Sequence, residues 1–295
     1  MQLKSILCPI DFSEFSIRAY EYALSLAEYY KAKLVALHVV ELWKCPFVDD
    51  AAYEVDFANV SRALREGGEE PLREFINKHS RHGIQPQLAA DQGNASDVIL
   101  SFAQAQNIEV IVMGTHGRRG FDRLVLGSVT DRVMRKASCP VLVISKQPHE
   151  SMVAGPDGRQ IHHLSRILYC TDFSENSERA LRYAISVAAE YDAELTLLRV
   201  LEEIPTPGQT QEAIATAAAQ LDKLITPEQP KAIKIKTAVR MGKPYEEIVK
   251  RTLETDAELV AMGVRGAGAL DAVVFGSTKY RAIQLGPCPV LAVHV

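Results

Sequence analysis

The sequence predicts an α/β protein built from two tandem repeats, each a five-stranded parallel sheet with helices on both faces. Residues 6–41 align with residues 167–202 at 19 of 36 identical positions, and residues 109–144 align with residues 258–293 at 13 of 36. Within each repeat, short apolar runs alternate with helical patterns, as in consecutive β-α-β units. A repeat this long indicates duplicated domains and not a solenoid.

The first repeat opens with SILCPI, a continuous apolar run typical of a buried parallel strand. Ser13 can cap a helix that runs to about Tyr30, in which alanines every four residues form a smooth stripe that can lie close to a sheet. The remaining strands are KLVALHVV, IQPQLAA, VIVMG and PVLVI, and the intervening helices are expected over residues 55–80, 94–106 and 128–137. The second repeat follows the same order with RILYC, LTLLRVL, IKTAV, LVAMG and PVLAV.

The duplication predicts domains at residues 1–146 and 165–295, joined by a polar linker at residues 147–164 that contains two prolines and two glycines. The offset between the repeats changes from 161 to 149 along the chain, so the first repeat carries 12 extra residues, which we place near WKCPFVDDAAYE. Because the last strands are apolar, we expect the repeats to pack on each other as an intramolecular pseudo-dimer.

Composition restricts the classes of function. The chain is 47% hydrophobic and 24% charged, and its net charge of −4 provides no basic field for nucleic acid or a membrane surface. No apolar run approaches the roughly 18 residues needed to span a bilayer, and MQLKSILCPIDFSE is not a signal peptide. Five cysteines without a CxxC motif favour reduced thiols over disulfides or a zinc site. We therefore expect a cytoplasmic protein with neither nucleic acid nor membrane as a partner.

A glycine pattern occurs once in each repeat. MGTHGRRGFDRLVLGSVT (residues 113–130) and MGVRGAGALDAVVFGSTK (residues 262–279) share the spacing G-x2-G-x9-G followed by serine. Glycine allows close approach of a ligand, and the free N–H groups of a helix N-terminus favour an anion. Asp11 and Asp172 follow the first strand of each repeat, where a carboxylate could hydrogen-bond a ribose or an exocyclic amine. The pattern therefore predicts a phosphate site beside the strand ends.

The same residues allow a purely structural interpretation. Gly114 could simply end a strand in a turn, Asp11 could cap the first helix, and Ser128 with Asp131 forms the S-x-x-D pattern of a capping box. The sequence contains neither GxxxxGK[ST] nor GxGxxG after the first strand, which disfavours a P-loop NTPase and a classical dinucleotide site.

Each repeat resembles the universal stress protein family, and the resemblance covers nearly the whole chain. It rests on ILCPIDFSE, LHVVE, MGTHGRRG, LGSVTDRV and CPVLVI in the first repeat and on ILYCTDFSE, RVLE, MGVRG, FGSTKYRA and CPVLAV in the second. The resemblance implies a five-stranded parallel sheet, a role in stress tolerance and dimerisation through the last strand. The G-x2-G-x9-G-[S/T] pattern marks the ATP-binding branch of that family, which implies ATP, often with Mg²⁺ or Mn²⁺.

By position, the resemblance implies that Asp11 and Val39 contact the adenosine, and that the glycine loop and the following helix contact the phosphates. The implied nucleotide-binding residues of the first repeat are Pro9, Asp11, Val39, Met113, Gly114, Gly117, Arg118, Gly127, Ser128, Val129 and Thr130. Those of the second repeat are Asp172, Val200, Met262, Gly263, Gly266, Gly276, Ser277 and Thr278. Arg118 and Arg119 align with Ala267 and Gly268, so we expect the two sites to be unequal.

These observations predict an ATP-binding regulatory protein of the stress response. A slow ATPase and a nucleotide-free, chaperone-like interaction module stay open as alternatives, as does a homodimer besides the pseudo-dimer. No combination of base, nucleophile and metal-binding carboxylates is visible in the sequence. Efficient catalysis is therefore disfavoured, and we assign neither a catalytic residue nor a metal ligand.

Overall fold

The structure is a computed structural model of the 295-residue chain. It describes residues 3–41, 57–79, 84–116, 126–145, 152–154, 160–162, 164–202, 207–226, 233–264, 281–283 and 286–294.

Strands and helices alternate along both repeats, as the sequence predicts. The first repeat contains β1 (Ser5–Ile10), α1 (Glu14–Tyr30), β2 (Lys33–Val40), α2 (Phe57–His79), β3 (Gln87–Gln92), α3 (Ala95–Ala105), β4 (Val110–Gly114), α4 (Ser128–Lys136) and β5 (Val141–Ile144). Two short strands follow, β6 (Met152–Ala154) and β7 (Gln160–His162). The second repeat contains β8 (Arg166–Thr171), α5 (Glu175–Tyr191), β9 (Glu194–Leu201), α6 (Thr210–Lys223), β10 (Ile235–Met241), α7 (Pro244–Glu254), β11 (Leu259–Gly263) and β12 (Val290–Val293). A single 3₁₀ turn at Pro207–Gln209 precedes α6, and residues 281–283 are also helical.

Helix α1 shows how local sequence sets the element boundaries. Ser13 is the N-cap, and its side chain accepts a hydrogen bond from the Ser16 N–H, which satisfies one of the free donors of the first turn. Lys31 ends the helix in the left-handed region, with φ of 53°. The alanine stripe is fully buried, so the helix lies close against the sheet. Ser174 and Asp192 repeat both caps on α5.

The ten long strands form one sheet in the order β10-β9-β8-β11-β12-β5-β4-β1-β2-β3. Neighbouring strands within a repeat are parallel, which confirms the predicted five-stranded parallel sheets. The repeats meet where β5 and β12 pair antiparallel, with Leu142 opposite Leu291. In each repeat the chain winds outward from the first strand to the third and then returns to the other side of the first strand. The strand order therefore reverses between β1 and β4, and again between β8 and β11.

Apolar clusters cover both faces of the sheet, and each cluster includes residues of both repeats. On the face covered by α1 and α5, the equivalent residues Tyr30 and Tyr191 meet edge to face, with ring centroids 6.3 Å apart. Tyr29 stacks on Tyr191 at 4.9 Å, with an interplanar angle of 13°. Desolvation by burial raises the pKa of Tyr30 to about 12. The repeats therefore share a packed interface in addition to the continuous sheet.

Two details differ from the sequence expectations. The predicted linker at residues 147–164 contains an antiparallel hairpin, in which Val153 of β6 pairs with Ile161 of β7. The segment WKCPFVDDAAYE, where we placed the extra residues, lies outside the described residues. However, α2 is 23 residues long while its counterpart α6 has 14, so part of the length difference lies in this helix.

Candidate functional site

The carboxyl end of the first strand of each repeat carries an aspartate that braces the following helix. One Asp11 oxygen accepts hydrogen bonds from the Ser13 N–H at 3.0 Å and from the Ser13 hydroxyl at 2.6 Å. Asp172 makes the same two contacts with Ser174, at 3.1 and 2.5 Å, and also accepts from the Ser177 hydroxyl. The serines are the N-caps, so each aspartate holds the cap and does not itself cap the helix.

The residue after each aspartate adopts an unusual backbone conformation. Phe12 has φ of 65° and Phe173 has φ of 60°, in the left-handed region that bulky residues rarely occupy. Each ring contacts a side chain from the neighbouring strand: Phe12 lies 4.5 Å from the His38 ring, and the Arg199 guanidinium lies 5.2 Å from the Phe173 centroid. Such strain costs roughly 1–3 kcal/mol and tends to occur at ligand sites. The DFSE segments that the repeats share thus carry strain at the end of β1 and of β8.

Gly114 and Gly263 end β4 and β11, and the structure shows a packing reason for glycine at both positions. A Cβ on Gly114 would lie 2.6 Å from the Phe15 Cβ and 2.9 Å from the Phe15 carbonyl carbon and oxygen. A Cβ on Gly263 would lie 2.4 Å from the Asn176 carbonyl and 2.6 Å from the Ser177 nitrogen. The strand end and the first turn of α1 or α5 therefore touch backbone to backbone. This contact requires glycine whether or not a ligand also approaches.

The N-terminus of α4 is tied to the end of β4. The Gly127 N–H donates to the Thr115 carbonyl at 2.8 Å, and the Thr130 hydroxyl donates to the Gly114 carbonyl at 2.8 Å. Gly127 is the N-cap, and no side chain of the described residues caps the helix. The first three helical residues therefore keep N–H groups with no protein acceptor in the described part of the chain.

The capping-box interpretation of this helix start is wrong. Ser128 is the first helical residue and not the N-cap, and its side chain is exposed. Asp131 instead forms an ion pair with Arg135 at 2.8 Å, one turn further along α4. An uncapped helix N-terminus beside a strand end offers anion-binding donors without a competing carboxylate on its cap.

His116 lies at the beginning of the glycine segment. Its ring is 5.1 Å from the Phe15 ring, and Nδ1 lies 3.0 Å from the Thr115 hydroxyl. Nε2 is buried and has no hydrogen-bond partner among the described residues. A buried polar atom without a partner has a desolvation cost that a ligand or water can relieve. The sequence pattern did not single out His116, because this feature depends on packing against Phe15.

The described residues of the predicted site thus lie at the carboxyl ends of the strands in each repeat. Pro9, Val39 and Met113 lie in the last two positions of β1, β2 and β4, and Val200 and Met262 occupy the equivalent ends of β9 and β11. Val129 lies in the first turn of α4. The other predicted residues lie outside the described part of the chain: Gly117, Arg118, Gly266, Gly276, Ser277 and Thr278.

The four cysteines that the structure describes are buried. Desolvation raises the pKa of Cys139 to about 11 and that of Cys288 to about 12, so these thiols stay protonated near neutrality. Among the described residues there is no group of three or more histidine, cysteine, aspartate or glutamate side chains suited to a metal ion. No described helix is long and apolar enough to cross a bilayer.

Two doubly wound α/β units joined edge to edge, each with a reversal of its strand order, define the architecture of a tandem α/β protein. The chain belongs to the universal stress protein family. The model of the universal stress protein family matches residues 2–145 and again residues 163–294, once for each repeat.

Relatives and solved structures agree with this assignment. The chain is 35% identical to universal stress protein MJ0531 of Methanocaldococcus jannaschii over 147 residues, covering 50% of this chain and 85% of that protein. It is 24% identical to a universal stress protein of Mycolicibacterium smegmatis over 301 residues, covering 98% of this chain and 96% of that protein. The crystal structure of a universal stress protein from Archaeoglobus fulgidus superposes with a TM-score of 0.70 at 25% identity, covering 98% of this chain and 96% of that protein. The matches to the Mycolicibacterium and Archaeoglobus proteins therefore span both repeats of this chain and nearly the full length of those proteins.

Proposed function

We propose that this protein binds an adenine nucleotide, foremost ATP, at the carboxyl ends of the strands, and that it acts as a nucleotide-sensing regulator of the stress response in the cytoplasm. The observation that carries the proposal is the α4 N-terminus. Its first-turn N–H groups have no side-chain acceptor among the described residues, and Gly127 and Thr130 tie it to the end of β4. Helix N-termini in this position stabilise phosphate through N–H donors and the helix dipole.

The neighbouring groups suit the other parts of a nucleotide. Asp11 presents a carboxylate at the end of β1, next to β4 in the sheet, where it can accept from ribose hydroxyls. The unpartnered Nε2 of His116 lies at the beginning of the glycine segment and can hydrogen-bond a phosphate oxygen. Because the described residues form no cluster of metal ligands, Mg²⁺ or Mn²⁺ would enter with the nucleotide, held mainly by its phosphates.

Ser128 allows a sharp test, because it is exposed and is the first residue of α4. An aspartate there stabilises the empty helix by about 0.3–1 kcal/mol through the helix dipole. The same charge repels a phosphate a few ångströms away by about 1–2 kcal/mol, a loss of roughly ten-fold in affinity. Ser128→Asp should therefore raise the melting temperature of the nucleotide-free protein while weakening ATP. Ser128→Asn is the matched neutral control and should weaken ATP binding less than Ser128→Asp does, since it changes the side chain without adding a charge.

Calorimetric titration with ATP, AMP and adenosine separates the parts of the ligand. The loss caused by Ser128→Asp should be largest for ATP and absent for adenosine, since adenosine carries no phosphate. Mass spectrometry of nucleotide released from freshly purified protein gives an independent readout. If the protein carries no nucleotide and ATP at millimolar concentration releases no heat, the proposal fails. If Ser128→Asp weakened the binding of ATP and of adenosine equally, the result would show that no phosphate lies at the α4 N-terminus.

A further inference from the structure

The second repeat contains a cavity of about 370 Å³ between β9 and α6, which is broadly open to solvent, since half of its lining residues are exposed. Its wall on the sheet side is formed by Arg199 and Leu201, near the carboxyl end of β9. Alternate residues of a strand face the same side, so these two share the α5 and α6 face with Leu195 and Leu197. Val200, the residue that we assign to the nucleotide site, packs on the opposite face of the sheet. The cavity therefore lies on the other face of the sheet from Val200, while Arg199 itself contacts Thr171 and Phe173 on either side of Asp172.

The guanidinium of Arg199 has few polar partners among the residues that the structure describes. Its Nη1 donates to the Thr171 carbonyl at a long 3.4 Å, and the group rests on the Phe173 ring. Nε is buried without a hydrogen-bond partner, and no carboxylate pairs with Arg199 among the described residues. Arg199 as a whole is half-buried, so its charge is partly solvated, but the buried Nε without a partner among the described residues still has a desolvation cost. The cavity beside Arg199 is where such a partner can enter.

The rest of the lining combines one carboxylate with neutral polar and apolar groups. Glu212 lies on α6 at the exposed rim, and Thr216 and two glutamines add hydrogen-bonding groups. Ala213 and Ala217 provide an apolar surface opposite Leu201. The cavity therefore presents a cation, an anion and a short aliphatic surface together. Its volume is at the low end of the roughly 300–1,000 Å³ typical of ligand pockets, which suits a molecule much smaller than a nucleotide.

The first repeat provides an internal comparison, because it lacks this arrangement. His38 and Val40 occupy the positions of Arg199 and Leu201, and the uncharged ring of a histidine can satisfy its Nδ1–H with the Ile10 carbonyl, 2.7 Å away. Helix α2 lies directly over them at Gly68: a Cβ there would be 2.9 Å from Val40 Cγ2 and 3.6 Å from His38 Cδ2. The duplicated positions have thus diverged, closed by a helix in one repeat and open beside an arginine in the other.

We propose that this cavity binds a small zwitterion of the α-amino acid class. Arg199 receives the carboxylate, Glu212 at the rim receives the ammonium group, and the alanines of α6 together with Leu201 contact a short side chain. Arginine is suited to a carboxylate because its donors match the two oxygens. The site would give the second repeat a ligand that the first repeat cannot accept.

Saturation-transfer NMR on the full-length protein, with the twenty L-amino acids at millimolar concentration as probes, tests the proposal. We expect at least one aliphatic or amide amino acid to bind, and its affinity is then measured by calorimetry. Arg199→Met removes a charged hydrogen bond and should weaken the binding of that amino acid by at least roughly ten-fold. Ala213→Leu fills the cavity without changing charge and should do the same. Arg240→Met removes an arginine that pairs with Glu254 outside the cavity and should leave binding unchanged.

Glu212→Gln distinguishes a zwitterion from a simple carboxylate. Because Glu212 is exposed, its contribution should be a few-fold only, and the variant should erase the preference for the amino acid over its deaminated carboxylic acid. Because Glu212 is exposed, Glu212→Gln should fold normally, and it keeps the test usable if circular dichroism shows that Arg199→Met or Ala213→Leu is unfolded. The proposal is overturned if none of the twenty amino acids gives a signal. It is equally overturned if binding survives both Arg199→Met and Ala213→Leu, or if the deaminated acid already binds the unaltered protein as well as the amino acid does.

Discussion

Replacing the glycine at the end of β11 by alanine tests whether this position serves the fold or a ligand. In Gly263→Ala the new methyl group would lie 2.4 Å from the Asn176 carbonyl carbon and oxygen and 2.6 Å from the Ser177 nitrogen. Ordinary contact requires at least about 3.4 Å, so the first turn of α5 has to move away from the strand by about 1 Å. All three atoms belong to the backbone, and no side-chain rotation can relieve the overlap.

Overpacking of this kind costs about 1–3 kcal/mol where side chains can adjust, and we expect about 3 kcal/mol or more here because they cannot. Gly114→Ala should cost about 2–3 kcal/mol, since one of its three close atoms is the Phe15 Cβ. Gly67→Ala in α2 is the matched control, because nothing lies within 4 Å of its Cβ position and alanine favours the helix by about 1 kcal/mol.

Urea unfolding followed by circular dichroism, without nucleotide, measures all three variants. The expected order of stability is Gly67→Ala above the unaltered protein, then Gly114→Ala, then Gly263→Ala. An unchanged free energy of unfolding for Gly263→Ala, combined with a large loss of ATP affinity, would refute the packing argument. It would show that this glycine is required by a ligand and not by the approach of α5.

Three further predictions concern stability and the proposed sites. Glu258→Ala should cost about 2–4 kcal/mol in urea unfolding, because its buried carboxylate accepts from the Ser165 and Arg166 N–H groups at the start of β8; a cost below about 0.5 kcal/mol would contradict this. Burial raises the pKa of Cys288 to about 12, so its stabilising contribution is complete below about pH 9 and is lost as the pH rises toward the folded pKa. Cys288 alone contributes a slope of about 1.4 kcal/mol per pH unit in this range, so Cys288→Ala should reduce the total slope by that amount and leave the part that is due to Cys139 and Tyr30. ATP titrations of Gly117→Val and Gly266→Val, each reporting the other repeat, should show roughly ten-fold tighter binding in the first repeat at low salt, and equal affinities would refute the role of its extra arginines.

Several elements follow directly from local sequence. SILCPI, KLVALHVV and VIVMG were predicted as strands with the bounds that β1, β2 and β4 have in the structure. Each is a short, largely apolar run rich in β-branched residues and bounded by polar residues or glycine, which is typical of a strand covered on both faces. Ser13 caps α1 as predicted, since a cap needs only a side-chain oxygen and an N–H three residues later. The duplication also follows from the sequence, because identity at a constant offset needs no three-dimensional information.

Other features do not follow from local composition. S-x-x-D at the start of α4 fits a capping box, yet Gly127 is the N-cap, held by the Thr115 carbonyl, and Asp131 pairs with Arg135. The strands β6 and β7 pair within a segment whose composition resembles a linker. At the helix start, a contact with the end of β4 that the residue pattern does not record outweighs a local preference that is worth about 1 kcal/mol.

In the candidate site, too, some features follow from the sequence and others depend on the packed structure. The glycine spacing and the DFSE segments predict a ligand site in each repeat, because parallel strands place all their carboxyl ends on the same side of a sheet. That Gly263 is required by the backbone of α5, and that a cavity is open beside Arg199 but closed over His38, could be known only from the packed structure. Such features depend on distances of a few tenths of an ångström between helices and strands that are remote in sequence, and residue patterns do not record those distances.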